Sequence, residues 1–122
     1  MFDLTLTFDN GPEPGVTPRV LDILRERGIK ATFFVIGEKL GDAGRRQLAV
    51  RAHDEGHWIG NHTFTHSVPL GEQRDAATAE KEIGRTQARE HLGECRCGRG
   101  RCSGSARAIA HRQVEAAASH AE

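Results

Sequence analysis

The chain has 122 residues, with 17 Lys and Arg against 17 Asp and Glu, so its formal net charge is zero at pH 7 with histidine neutral. That length holds one domain or a piece of one, and the balance of charge gives no reason to expect nucleic acid or an anionic membrane surface as a partner. No apolar run approaches the ~20 residues of a membrane-spanning helix, and no basic-then-apolar leader comes first, so the expected location is cytoplasmic.

The balance hides a division. Residues 1–94 carry 12 basic and 15 acidic side chains, whereas residues 95–122 carry 5 and 2. All five Phe and the single Trp lie at or before Phe64, the three Cys are Cys95, Cys97 and Cys102, and Ile109 and Val114 are the last segment's only large aliphatics. Residues 1–94 are therefore expected to fold, and 95–122 to form a basic tail, disordered or weakly helical. A frameshifted reading frame would leave such a break. An odd number of Cys outside the core argues against a disulfide scaffold.

In chain order, Phe2 to Phe8 alternates apolar and polar residues with strand period. Thr17 can cap a helix whose first residue is Pro18, with Val20, Leu21 and Leu24 as its apolar stripe and Gly28 as its stop. Ile29 to Ile36 reads as a second strand, apolar enough for burial on both faces, and Gly37 ends it. Asp42 can cap a second helix carrying Leu48 and Ala52 at helical spacing, with Gly56 as its end. His57 to His62 makes a short third strand, and Gln73 to Leu92 a third helix with Ile83 as its best apolar anchor. The order β-α-β-α-β-α predicts an α/β fold, a parallel sheet or (β/α) barrel with right-handed crossovers. About three βα units are present, and a closed barrel needs roughly 200 residues or more, so the expected sheet is open.

Two segments bear chemistry. The first strand runs into Asp9-Asn10-Gly11-Pro12 and the third into Asn61-His62-Thr63-Phe64-Thr65-His66. Parallel strands share one carboxyl edge, so these segments converge. Two imidazoles four residues apart with a nearby oxygen ligand suit Zn²⁺ or a similar divalent ion, and a carboxylate beside them can take a proton from water. Each segment alone also has a plainer reading. Two surface histidines produce H-x-x-x-H, and Asp-Asn before Gly-Pro is ordinary turn chemistry.

Taken together, the segments LTFDNGP, KATFFVIG and IGNHTFTH resemble the NodB-homology polysaccharide deacetylases, carbohydrate esterase family 4, over about residues 3–92. The resemblance implies a partial (β/α) barrel of the polysaccharide deacetylase type. It also implies a metal-dependent deacetylase that removes acetyl groups from N-acetylglucosamine-type carbohydrates, with a divalent metal, Zn²⁺ or Co²⁺, as cofactor. In the family the first motif reads T-F-D-D-G-P, its first Asp the base and its second a metal ligand, and H-S/T-x-x-H supplies two more ligands. By position, Asp9 is the base, and Asn10, His62 and His66 stand at the ligand positions.

Asn10 departs from the family's Asp, since a neutral amide oxygen attracts a dication less than a carboxylate does. The family's later Arg, Asp-Trp and L-x-x-H motifs are not legible; His111 and His120 lie outside an L-x-x-H context and read as tail histidines. Poor turnover by this chain is therefore expected. Two rival functions share the sequence: a cyclic amide or ureide hydrolase of the same fold, and a catalytically dead metal-binding half-domain that self-associates through open sheet edges. In the tail, Cys95, Cys97, Cys102 and His111 lack the paired C-x-x-C spacing of a zinc site, and five Arg without an aromatic are a poor nucleic-acid surface.

Overall fold

The structure is a computed structural model, and it describes residues 3–67, 69–72 and 75–90. Three parallel strands, β1 (Thr7–Gly11), β2 (Thr32–Val35) and β3 (Trp58–Asn61), lie side by side in the order β1-β2-β3. Helices α1 (Thr17–Glu26) and α2 (Ala43–Asp54) connect them, a 3-10 turn at Gly37–Gly41 precedes α2, and α3 (Ala76–Glu90) follows β3. This is the expected alternation, with the sheet open at β1 and β3 among the described residues.

The central strand β2 supplies Phe33 and Val35 to a core that also holds Leu21 and Leu24 of α1, Ala49 and Ala52 of α2, Leu40 and Ile59. A leucine as completely buried as Leu21, at 0% exposure, carries about 2–5 kcal/mol that truncation to alanine would remove. On α2 the buried residues are Ala49 and Ala52, while Leu48 is only half-buried; two alanines let the helix axis approach the sheet. Asp42 caps α2 as expected, its carboxylate accepting from the Arg45 amide at 2.8 Å. Gly28 and Gly56 close α1 and α2 with positive φ, of 64° and 86°.

Four expectations are corrected. β1 begins at Thr7 and contains the Asp9-Asn10 pair instead of ending before it, because pairing with β2 starts at Thr7↔Thr32. The second strand is confined to Thr32–Val35, the stretch flanked on both sides. Thr17 does not cap α1: its hydroxyl accepts from the Glu13 amide at 2.8 Å, so it fastens the preceding loop. On α3 the fully buried residue is Thr86, at 0% exposure, and not Ile83. An added Cβ on Gly37 would fall 2.8 Å from Phe64 Cδ2 and 2.9 Å from Thr86 Cα, so α3 packs directly on the Gly37 backbone and no side chain fits there without a shift. Cys95, Cys97, Cys102, His111 and the tail lie outside the described residues, as do the expected helix limits Gln73 and Leu92.

Candidate active site at the carboxyl edge of the sheet

The Asp9-Asn10 pair is displaced by a bulge. Phe8 pairs with Phe33 and Gly11 with Val35, so three steps along β1 match two along β2. One surplus residue on a strand bends it locally and re-aims side chains, and here Asp9 and Asn10 are the exposed residues between the paired positions. Asn10 has φ 65°, a left-handed conformation that asparagine tolerates better than most residues. Lys39, from the turn after β2, donates to the Asn10 carbonyl at 2.8 Å and to Glu13 Oε2 at 3.0 Å, while Arg45 donates to Glu13 Oε1 at 3.2 Å. The two cations hold the Glu13 carboxyl below the usual range, Lys39 foremost through its hydrogen bond.

The histidine loop is held through its backbone. His62 N donates to Val35 O, Gly37 N to Thr63 O, and Glu38 N to Phe64 O, at 3.0, 3.0 and 2.9 Å. Thr63 N donates to Asn61 Oδ1 at 2.9 Å, and Phe64 N and Thr65 N both donate to Glu82 Oε2 of α3. Buried backbone groups need partners, and Val35, the turn at Gly37–Gly41, Asn61 and α3 supply them. Thr63 and His66 have φ of 65° and 55°. With Asn10, every left-handed non-glycine residue among those described sits at this edge, which is where strained backbone collects in functional sites.

The result is a stacked pair of imidazoles, with His62 and His66 ring centroids 4.7 Å apart and ring planes 24° from parallel. Burial foremost lowers the His62 pKa; the nearby Asp9 charge opposes that and His66 adds to it. The sheet thus brings Asp9 and His66 within electrostatic reach of His62. Two imidazoles, one kept neutral, are the donor form a divalent ion requires. Among the described residues no three His, Cys, Asp or Glu side chains are grouped to hold a metal, and Asn10 stands at the sequence position where an anionic oxygen donor was expected. The two imidazole nitrogens suit an N/O-binding dication.

Glu82, Asn61 and Lys39 escape sequence reasoning. Glu82 binds Thr65 across 17 residues and Lys39 binds Asn10 across 29, and no local pattern marks either. Only Asn61, beside His62, carries a signal.

The polysaccharide deacetylase family model matches residues 3–97. The chain belongs to this family. Among its family relatives, the peptidoglycan-N-acetylmuramic acid deacetylase PdaA of Bacillus subtilis is 54% identical over 61 residues, 50% of this chain and 22% of that protein. A chitooligosaccharide deacetylase of Azorhizobium caulinodans is 42% identical over 96 residues, covering 78% of this chain and 42% of that one. A family 4 acetyl xylan esterase from Clostridium thermocellum, solved in complex with a cobalt ion, superposes with a TM-score of 0.65 at 35% identity over 70% of this chain and 40% of that one. The polysaccharide deacetylase chain described here thus spans between about a fifth and two-fifths of the length of these relatives. Its three-stranded sheet corresponds to part of their (β/α) barrel.

Proposed function

We propose that this chain carries the base and the histidine pair of a divalent-metal-dependent carbohydrate deacetylase acting on N-acetylglucosamine-type sugars. The single observation that carries the reading is the convergence of Asp9 with the stacked His62–His66 pair at one sheet edge, reached from segments more than fifty residues apart. The relatives' names, peptidoglycan and chitooligosaccharide deacetylases, supply the substrate class. His62 and His66, with the Asn10 amide oxygen, would hold Zn²⁺ or Co²⁺. When bound, such an ion polarises the acyl carbonyl as a Lewis acid.

The chain's own residues do the rest. Asp9, aimed outward by the bulge, accepts a proton from the attacking water, whose oxygen joins the acetyl carbon as the C–N bond breaks. The amine that leaves needs a proton in turn, and no L-x-x-H segment is legible to give one. General acid-base help is worth about 10²–10⁴-fold, so turnover by these 122 residues is expected to be slow.

The test is acetate release from a chitin oligomer, with a cyclic ureide as comparison, in the presence of Zn²⁺ or Co²⁺. Slow release lost in Asp9→Ala is the expected result. Release unchanged by Asp9→Ala removes Asp9 as base, and turnover of the ureide alone moves the chain to the amide-hydrolase reading.

A further inference from the structure

One side chain outside both motifs takes three of the histidine loop's hydrogen bonds. A single oxygen of Glu82, Oε2, accepts from Phe64 N at 3.1 Å, Thr65 N at 2.8 Å and Thr65 Oγ1 at 2.9 Å. Thr65 Oγ1 then meets Ser67 Oγ at 2.7 Å and accepts from Ser67 N at 3.3 Å. The network therefore grips the residues on both sides of His66. His66 itself sits at φ 55°, a conformation that costs on the order of 1–2 kcal/mol for an L-residue and persists only where its surroundings over-determine it.

Glu82 is in turn fixed in place. The Asn61 amide donates to Ile83 O at 2.9 Å, so the last residue of β3 is tied to the adjacent residue of α3. Thr86 is buried one turn on, and its hydroxyl donates to Glu82 O at 3.0 Å. The Arg85 guanidinium lies 3.6 Å from the centre of the Phe64 ring, adding a second contact between helix and loop.

From this geometry we infer that Glu82 is the positioning residue of the site: its carboxylate shapes the Phe64–Thr65 backbone so that His66 is presented beside His62. The inference rests on the metal-binding reading proposed above for that histidine pair. Burial pushes the Glu82 carboxyl up, but the Thr65 and Phe64 bonds outweigh it and the net direction is down, as expected of an anion already bound by donors. A carboxylate accepting from backbone amides is stronger than a neutral acceptor in the same place. Deleting a partner that orients a metal-binding side chain typically weakens the metal 10–100-fold.

Four forms of the full chain decide the matter: wild type, Glu82→Gln, Glu82→Ala, and Val20→Ala as a control that loosens the packing of α1 on the core. Two measurements are made. One is hydrogen exchange at the Phe64 and Thr65 amides in metal-free protein; the other is Co²⁺ affinity with its visible absorption spectrum. Glu82→Ala should expose both amides to fast exchange ahead of global unfolding, weaken Co²⁺ about 10–100-fold and alter the spectrum. Glu82→Gln keeps an acceptor oxygen and should lose less. Val20→Ala should lower the melting temperature and leave affinity and spectrum unchanged. Should Glu82→Ala fail to fold, the Glu82→Gln values decide, and wild-type exchange and spectrum in that variant would overturn the inference. Fast exchange with wild-type Co²⁺ affinity also overturns it, leaving Glu82 a structural tie. A wild-type chain that binds no Co²⁺ overturns the metal reading and the role of Glu82 with it, whereas wild-type affinity in Glu82→Ala overturns the role of Glu82 alone.

Discussion

Lys39 Nζ donates to the backbone carbonyl of Asn10 at 2.8 Å across 29 residues of chain, and so fastens the bulge of β1 to the turn that follows β2. Glu13 braces the same ammonium at 3.0 Å. Removing the cation frees the left-handed Asn10 and leaves Glu13 with Arg45 alone. Lys39→Met is expected to keep the fold, since the pair is partly solvent-exposed, and to weaken Co²⁺ binding a few-fold, read by titration against wild type.

Asn10→Asp should tighten metal binding by roughly 10-fold, because it adds a negative oxygen to the two imidazole donors. Aspartate tolerates the φ of 65° as asparagine does, so the backbone need not change. Equal or weaker affinity in a Zn²⁺ or Co²⁺ titration would show that the side chain at position 10 faces away from the histidine pair.

Gly37→Ala should destabilise the chain by about 1–3 kcal/mol, the usual range for overpacking. The new methyl would press on the Thr86 backbone and the Phe64 ring, and neither has room to move between α3 and the turn. Denaturant midpoints measure the effect, and because Phe64 lies in the histidine loop, Co²⁺ affinity should fall with it.

His57 should make the fold sensitive to acid. Its Nδ1 accepts from the Ala31 amide at 3.2 Å, so the neutral ring carries its proton on Nε2, a buried atom without a partner among the described residues. Burial foremost, with the Lys30 charge, lowers its pKa below the usual 6.5. A depressed histidine pKa means the unfolded chain takes up the proton first, so stability is full above about pH 6.5 and is lost as pH falls below it. His62 is lowered as well and acts in the same direction. His57→Asn, which keeps an acceptor for Ala31, should flatten but not abolish the fall in melting temperature between pH 6.5 and 5.

Glu90 acts in the opposite direction. Burial pushes its carboxyl up from 4.5 to about 7, and Oε1 has no partner among the described residues. The folded state therefore binds this proton more tightly than the unfolded state does. Its stabilising share is present below about pH 4.5 and is lost as pH rises to about 7, at up to about 1.4 kcal/mol per pH unit. Glu90→Gln should raise the melting temperature at pH 8 and leave it nearly unchanged at pH 4.

The sequence by itself determined the order of elements, because apolar periodicity, the Asp42 cap and the glycine stops at Gly28 and Gly56 are local signals that the backbone obeys wherever it folds. It also determined that Asp9, Asn10, His62 and His66 lie at one edge, since neighbouring strands joined by helical crossovers run parallel and share one carboxyl edge. The tertiary structure decided what no local pattern encodes. Pairing register with β2 put the Asp9-Asn10 pair in a bulge inside β1, not beyond its end, because the surplus residue exists only relative to a partner strand. Burial on α3 fell to Thr86 instead of Ile83, because the face of α3 that packs was set by the approach to Gly37 and not by side-chain apolarity. No local pattern marks Glu82 or Lys39, and they became the braces of the histidine loop and the Asn10 turn only when folding brought backbone groups 17 and 29 residues away within their reach.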